Sequence, residues 1–241
     1  MTAALLFVAS IVAGAIAALA GFGIGSVLTP LLALSVGTKE AVVAVSIPHL
    51  VATAIRFWNL RRSIDRQVLK NFGIASAAGG LAGALLGSRF SSPILAYILG
   101  ALLVFAGLTG LTGISRKMRF GRKAAWLGGA VSGLLGGLVG NQGGIRSAAL
   151  LGFNLEAKTF VATATAIALI VDGARMPVYF FTSPATVERL GLWIVVMVVG
   201  GAIGTIAGGR VLARIPETYF RWLVSLLVLA LGLVMLSGIA K

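Results

Sequence analysis

Two glycine-rich interruptions, residues 21–30 (GFGIGSVLTP) and residues 136–147 (GGLVGNQGGIRS), divide a chain that is otherwise hydrophobic almost from end to end. At hydrocarbon depth no water satisfies backbone N–H and C=O groups, so irregular backbone survives there only where protein or a water-filled cavity covers it. Five of the twelve residues in the second interruption are glycine, and a helix does not run through such a stretch without loss. The same stretch places Asn141, Gln142 and Arg146 where hydrocarbon is expected. The two interruptions read as a pair of broken membrane helices that meet at one binding site.

Composition supports a membrane location. Apolar residues make up 59% of the chain, against about 45–50% in soluble domains. Charged residues make up 11%, too few to wet the surface of a 241-residue globule. The chain is expected to be an integral membrane protein with essentially no extramembrane domain. Cysteine is absent, which excludes disulfides, thiolate chemistry and soft-metal sites. His49 is the single histidine, so no His-rich metal or catalytic constellation exists, and neither metal nor cofactor is expected. The formal charge of +14 is spread over short loops between apolar runs, as membrane topology requires, rather than over a basic face for nucleic acid. Ala18-Leu19-Ala20 resembles a signal-peptide cleavage site, but no basic region precedes it, so the segment is read as mature sequence.

Along the chain, apolar segments at residues 4–20, 26–36, 41–58, 68–87 and 94–114 precede a basic loop, and the pattern then repeats. At an offset of 119, Gly21 falls on Gly140, Gly25 on Gly144, Leu31-Leu32 on Leu150-Leu151, Lys39 on Lys158 and Arg56 on Arg175. At an offset of 121, Gly83 and Gly87 fall on Gly204 and Gly208; at 123, Pro93 falls on Pro216. Such internal repeats mark many transporter folds. The expected organisation is a first transmembrane repeat over residues 1–114, a basic cytoplasmic linker over 115–123 and a second repeat over 124–241.

The short runs beside each interruption are too thin to span a bilayer, which needs roughly 20 apolar residues. Each broken segment (residues 4–36 and 124–153) is therefore expected to be re-entrant, dipping in and returning on the side it entered. Three crossings per half then invert the second half relative to the first. This puts thirteen cations on one side: Arg61, Arg62, Arg66, Lys70, Arg116, Lys117, Arg119, Arg122, Lys123, Lys158, Arg210, Arg214 and Arg221. Lys39, Arg89, Arg189 and Lys241 remain on the other. That bias assigns the basic side to the cytoplasm of a cell inner membrane and both termini to the outside. The expected fold is an all-α polytopic membrane protein: an inverted repeat whose halves each contain a glycine-broken re-entrant helix pair and three transmembrane helices.

Helices that start just after the breaks, at Ser26 and Ile145, would turn unpaired N–H groups and positive dipole ends toward a shared cavity, which favours an anion. Arg146 adds a full charge and a planar fork suited to an oxyanion. The expected binding residues are Arg146, Asn141, Gln142, Gly143, Gly144, Ser147, Gly23, Gly25 and Ser26. Gly79-Gly80, Gly83 and Gly87, with Gly200-Gly201, Gly204 and Gly208, are read as close-packing positions. Arg56 and Arg175 occupy equivalent places and either draw anions into the two mouths of a pathway or snorkel to headgroups. Asp172 and Arg175 lie three apart on one helix and can pair, structurally or in proton coupling. His49, central in its helix after Pro48, is either a packing residue or a coupling one.

With a glycine-rich break followed by small residues and Pro30-Leu31-Leu32, and a second copy at Gly140-Asn141-Gln142-Gly143-Gly144 with Leu150-Leu151, the chain resembles the TauE/SafE family of sulfite and organosulfonate exporters. The second copy has Ala149 where the family usually has proline. The resemblance implies a secondary transporter of small sulfur oxyanions or organic acids. The expected function is alternating-access transport of such an anion, driven by a gradient because no ATP-binding loop is present, with a proton or sodium ion as coupling ion. Rival readings are an anion channel, a transporter of an unrelated organic acid, or a subunit of a larger complex. An intramembrane enzyme lacks the His-Glu-x-x-His, cysteine or paired carboxylates it would use. Oligomeric state, substrate identity and direction are left open.

Overall fold

A computed structural model describes residues 2–20, 24–114, 122–141, 143–150, 153, 155–212 and 217–238. The described residues contain eleven α-helices and no strand. In the first half these are α1 (Ala3–Ala20), α2 (Ile24–Val36), α3 (Thr38–Leu60), α4 (Arg66–Gly87) and α5 (Ser92–Thr112). The second half contains α6 (Arg122–Val139), α7 (Gly143–Leu150), α8 (Ala157–Thr182), the short α9 (Pro184–Arg189), α10 (Gly191–Leu212) and α11 (Glu217–Leu236). Five of them, α3, α4, α5, α8 and α10, are long and apolar enough to cross a membrane. The basic loops around Arg116, Lys117, Arg119 and Arg214, and the side chains of Arg122, Lys123, Arg210 and Arg221, lie outside the described residues.

Local signals set the boundaries. The Asp65 carboxylate accepts the Val68 N–H at 2.9 Å and caps the start of α4. Gly37, with φ of 91°, lets the chain fold from α2 straight into α3, a backbone state that side chains rarely adopt. Pro30, Pro48 and Pro177 lie inside α2, α3 and α8. Each removes a helical hydrogen bond, which membrane helices tolerate where neighbours re-satisfy the backbone.

The surface is the reverse of a soluble protein's. Leu5, Val8, Leu85, Phe105, Phe181, Leu192 and Ile206 are exposed, whereas Ser10, Thr53, Ser76, Thr163 and Thr165 are buried. Lipid has no advantage over the protein interior for apolar side chains, so helix association here rests on close packing. Glycine provides it. A Cβ on Gly14 would collide with the Gly201 carbonyl of α10, and one on Gly133 with the Ser76 carbonyl of α4. Likewise Gly204 lies against the Ile11 carbonyl, and Gly79 against that of Ala130.

These contacts repeat. Gly14 and Gly133, like Ile11 and Ala130, differ by 119; their partners Gly201 and Ser76, like Gly204 and Gly79, differ by 125. The α1–α10 contact is therefore the α6–α4 contact in its second copy. The register expected from sequence for the fourth helix, an offset of 121, is one turn short. Packing matches Gly79 with Gly204 and Gly83 with Gly208, because glycines spaced by four align equally well at either register until a partner helix selects one.

Two helix pairs, α5 with α11 and α3 with α8, pack antiparallel. On α5 and α11, Gly107 packs on Leu229, Val104 on Gly232 and Gly100 on Leu236, so numbers rise on one helix as they fall on the other. On α3 and α8, Ser46 meets Met176 and His49 meets Asp172, again in opposite senses. Lys39 donates its Nζ–H to the Ser88 carbonyl at 2.6 Å, which brings the start of α3 to the α4–α5 turn. The Asp65 N–H donates to Thr163 Oγ1 at 3.0 Å, which ties the start of α4 to the N-terminal part of α8.

The glycine contacts yield a graded test. Gly133→Val should prevent α6 from seating on α4 and lower the unfolding temperature in detergent by several degrees or abolish recovery of folded protein. A Cβ on Gly201 meets nothing within 4 Å, so Gly201→Ala should be neutral or stabilise by about 0.5–1 kcal/mol through helix propensity. Equal effects of the two changes would contradict this packing.

Candidate functional site

The two interruptions come together at atomic range. A Cβ on Gly25 in α2 would collide with the carbonyl of Gly140, which turns the chain after α6 with φ of 72°. Ser26 Oγ donates to Asn141 Oδ1 at 3.2 Å, and both residues are buried. The helices after the breaks begin at Ile24 and Gly143, two residues before the expected Ser26 and Ile145. The reason is that first-turn N–H groups have no helical partner anyway, so Gly25 and Gly144 fit inside the first turn. Gly143 is buried and Ser147 half-buried. Gly23 and Gln142 lie outside the described residues.

Breaking a helix leaves its last carbonyls without intrahelical partners and concentrates negative potential there. Arginine answers this twice. Arg56 of α3 donates Nη1–H to the Ala17 carbonyl in the last turn of α1. Arg175 of α8 donates Nη1–H to the Gly136 carbonyl in the last turn of α6, at 2.6 Å. Arg56 and Arg175 differ by 119, as do Ala17 and Gly136, so each repeat uses the same cap. Tyr179 adds a second donor in the second half, its hydroxyl reaching the Gly137 carbonyl. Both arginines are buried and bonded to protein carbonyls, so headgroup snorkelling is overturned.

The equivalence then fails in an informative way. Arg56 donates to Thr53 Oγ1 at 3.2 Å, a neutral partner three residues back. At the equivalent place Arg175 meets Asp172, Nη2 to Oδ1 at 2.7 Å. The other oxygen of Asp172 accepts from His49 Nδ1 of α3 at 2.7 Å. An ionised carboxylate only accepts, so its ring partner carries the hydrogen on Nδ1. His49 thus has a partner 123 residues away, which no local spacing in the sequence reveals.

Arg146 of α7 is buried, and Arg56, Asp172 and Arg175 all act on it electrostatically. Arg56 and Arg175 also act on His49, as Asp172 does. These five groups form one buried electrostatic cluster at the meeting point of the breaks. Of the six acids in the chain, Asp172 is the one buried among the described residues. Three buried guanidinium groups and one buried carboxylate give these five groups a net charge of two positive while the imidazole is neutral. Moreover, Thr29 Oγ1 and the Nε atoms of Arg56 and Arg175 have no hydrogen-bond partner among the described residues. Buried cations and donors in this state are costly unless an anion completes them.

Removing the carboxylate should strand its two partners. Asp172→Asn is expected to destabilise the fold by about 3–5 kcal/mol, read as thermal unfolding in detergent. Thr53→Ala, at the equivalent position of the other repeat, should cost about 1 kcal/mol. Similar losses at the two positions would show that Asp172 carries no special electrostatic burden.

Comparison with known proteins adds an independent line. A model of the family described as sulfite exporter TauE/SafE matches residues 6–235. No curated protein and no solved structure gave a match. The family's members are transporters rather than enzymes. Matched over nearly its whole length and built from apolar helices of spanning size, this multi-pass membrane protein belongs to the TauE/SafE sulfite exporter family.

Proposed function

We propose that this protein is a secondary transporter of a small sulfur oxyanion or organosulfonate, held between the two helix breaks by Arg146, Arg56 and Arg175. The observation that carries this reading is the charge count: three buried guanidinium groups against one buried carboxylate. An oxyanion with two negative charges, such as the sulfite dianion, would compensate the excess. The spare donors of Thr29, Arg56 and Arg175 would meet its oxygens, and guanidinium forks match planar or pyramidal oxyanions well. Ser26 and Asn141, already bonded to each other, and the first turns of α2 and α7 line the same junction. Fold and family together favour a sulfur anion over an unrelated organic acid.

The proposed architecture is an inverted repeat divided at residues 1–114 and 124–241, in the inner membrane, with the basic loops in the cytoplasm. Antiparallel packing of both equivalent helix pairs, α3 with α8 and α5 with α11, supports that inversion. Each break joins a helix of one half to contacts from the other, so rocking of the halves would open the junction to alternate sides.

Purified protein should gain thermal stability with one or a few of sulfite, thiosulfate, sulfoacetate and taurine, and not with simple carboxylates. Saturating ligand at about 100 times its Kd adds about 2.7 kcal/mol to the folded state. Arg146→Gln should lose this gain while remaining folded, and Arg146→Lys should retain part of it. A gain that survives Arg146→Gln would move the site elsewhere; a panel without any gain would overturn the sulfur-anion reading. In proteoliposomes, saturable exchange of labelled sulfite for internal sulfite is expected, whereas an ohmic current would make the protein a channel.

A further inference from the structure

We propose that His49 and Asp172 form a proton site that loads together with the anion, so that each anion crosses the membrane with a proton. This rests on the anion site above and names its coupling ion. His49 lies at the midpoint of α3, eleven residues from either end, which at about 1.5 Å per residue is roughly 16 Å from each. Its bond to Asp172 joins equivalent helices from the two halves at that depth.

The geometry selects the imidazole, not the carboxylate, as the proton acceptor. Asp172 is fully buried and already paired with Arg175. The His49 side chain retains 9% of its surface, against 0% for Asp172. With Nδ1–H committed to the carboxylate, Nε2 keeps the one free lone pair. A hydronium ion or hydrogen-bonded water would deliver the proton: an O–H bond breaks, the Nε2–H bond forms, and water or hydroxide is left behind. The charged groups facing the ring are Asp172 and Arg175 from α8 and Arg56 from its own helix. Of the other elements packed on α3, α2 carries no ionisable side chain, and the one on α5, Tyr97, is exposed. Glu188 and Arg189 of α9 and Arg61 and Arg62 of the turn after α3 are exposed, and the cationic side chains of α6 lie outside the described residues. Between residues 191 and 208, α10 carries none.

Protonation would make Asp172 the shared counter-ion of an imidazolium and a guanidinium. The net positive charge of these five groups would then rise from two to three, and an anion would bind more tightly. Linkage makes the effect reciprocal: bound anion favours the protonated ring, and anion release frees the proton. The pair is also absent from the other repeat, where Thr53 replaces Asp172 and Ala168 replaces His49 at the 119 offset. Packing of two equivalent helices does not call for it, since the fold makes the same caps and glycine contacts without it.

His49 is the only histidine in the chain, so selective ¹⁵N-histidine labelling gives a single-site readout, provided the purification tag carries no histidine. At about pH 6.5, where a free imidazole is near half protonation, the ¹⁵N spectrum should show a larger imidazolium fraction on adding whichever of sulfite, thiosulfate or sulfoacetate raises the melting temperature. Arg146→Gln should abolish the response, and Asp172→Asn, if it folds, should leave the ring neutral throughout. An anion that stabilises the protein yet leaves the imidazole signal unchanged overturns proton coupling and spares the anion site. If none of the three anions binds, the anion reading fails and the coupling proposal falls with it.

Discussion

A helix cannot stop inside a membrane without leaving carbonyl groups for something to satisfy, and in this protein that something is arginine. In the last turns of α1 and α6 the Ala17 and Gly136 carbonyls accept from Arg56 and Arg175, which reach across from α3 and α8, and the Gly136 carbonyl also accepts the Gly140 N–H at 3.0 Å. Each arginine puts one arm on the break and another on the side chain three residues back in its own helix, Thr53 or Asp172. The same solution that makes the breaks tolerable therefore concentrates positive charge between them. In the proposed function, structural need and anion affinity would come from one arrangement, because capping carbonyls does not neutralise a guanidinium.

That arrangement requires helices close enough for arginine to bridge them. Glycine carbonyl contacts set the spacing: α1 against α10, α6 against α4, and α5 against α11. Small residues permit close backbone approach, which in lipid replaces the hydrophobic effect as the source of helix association. The repeated contacts mean that the junction is flanked by near-identical scaffolds. At the 119 offset the two halves differ within the junction itself: Asp172 stands against Thr53, His49 against Ala168, Arg146 against Val27 and Asn141 against Phe22.

Much of the site was legible because rules for membranes are strict. An arginine or a glycine cluster at hydrocarbon depth demands an explanation, so Arg146, Arg56, Arg175 and both breaks stand out from sequence. The Asp172–Arg175 pair follows from helical spacing. What escaped was any relation that depends on which helices touch. The His49–Asp172 bond, the caps on Ala17 and Gly136, and the hydroxyl of Tyr179 on Gly137 each join residues 39 or more positions apart. The fourth-helix register was misread for the same reason: glycines every four residues leave the match degenerate by one turn.

By itself the sequence determined a helical membrane protein with two glycine-rich interruptions and cations among its apolar runs, because apolar length, glycine content and charge placement are properties of the chain read locally. The tertiary structure alone decided that the breaks face each other through Gly25 and Gly140, and that the single histidine and Asp172 become a pair. It also decided that equivalent helices pack antiparallel. Those outcomes depend on which surfaces meet, and close packing between distant segments is selected by the shape of the whole bundle rather than by any one stretch of it.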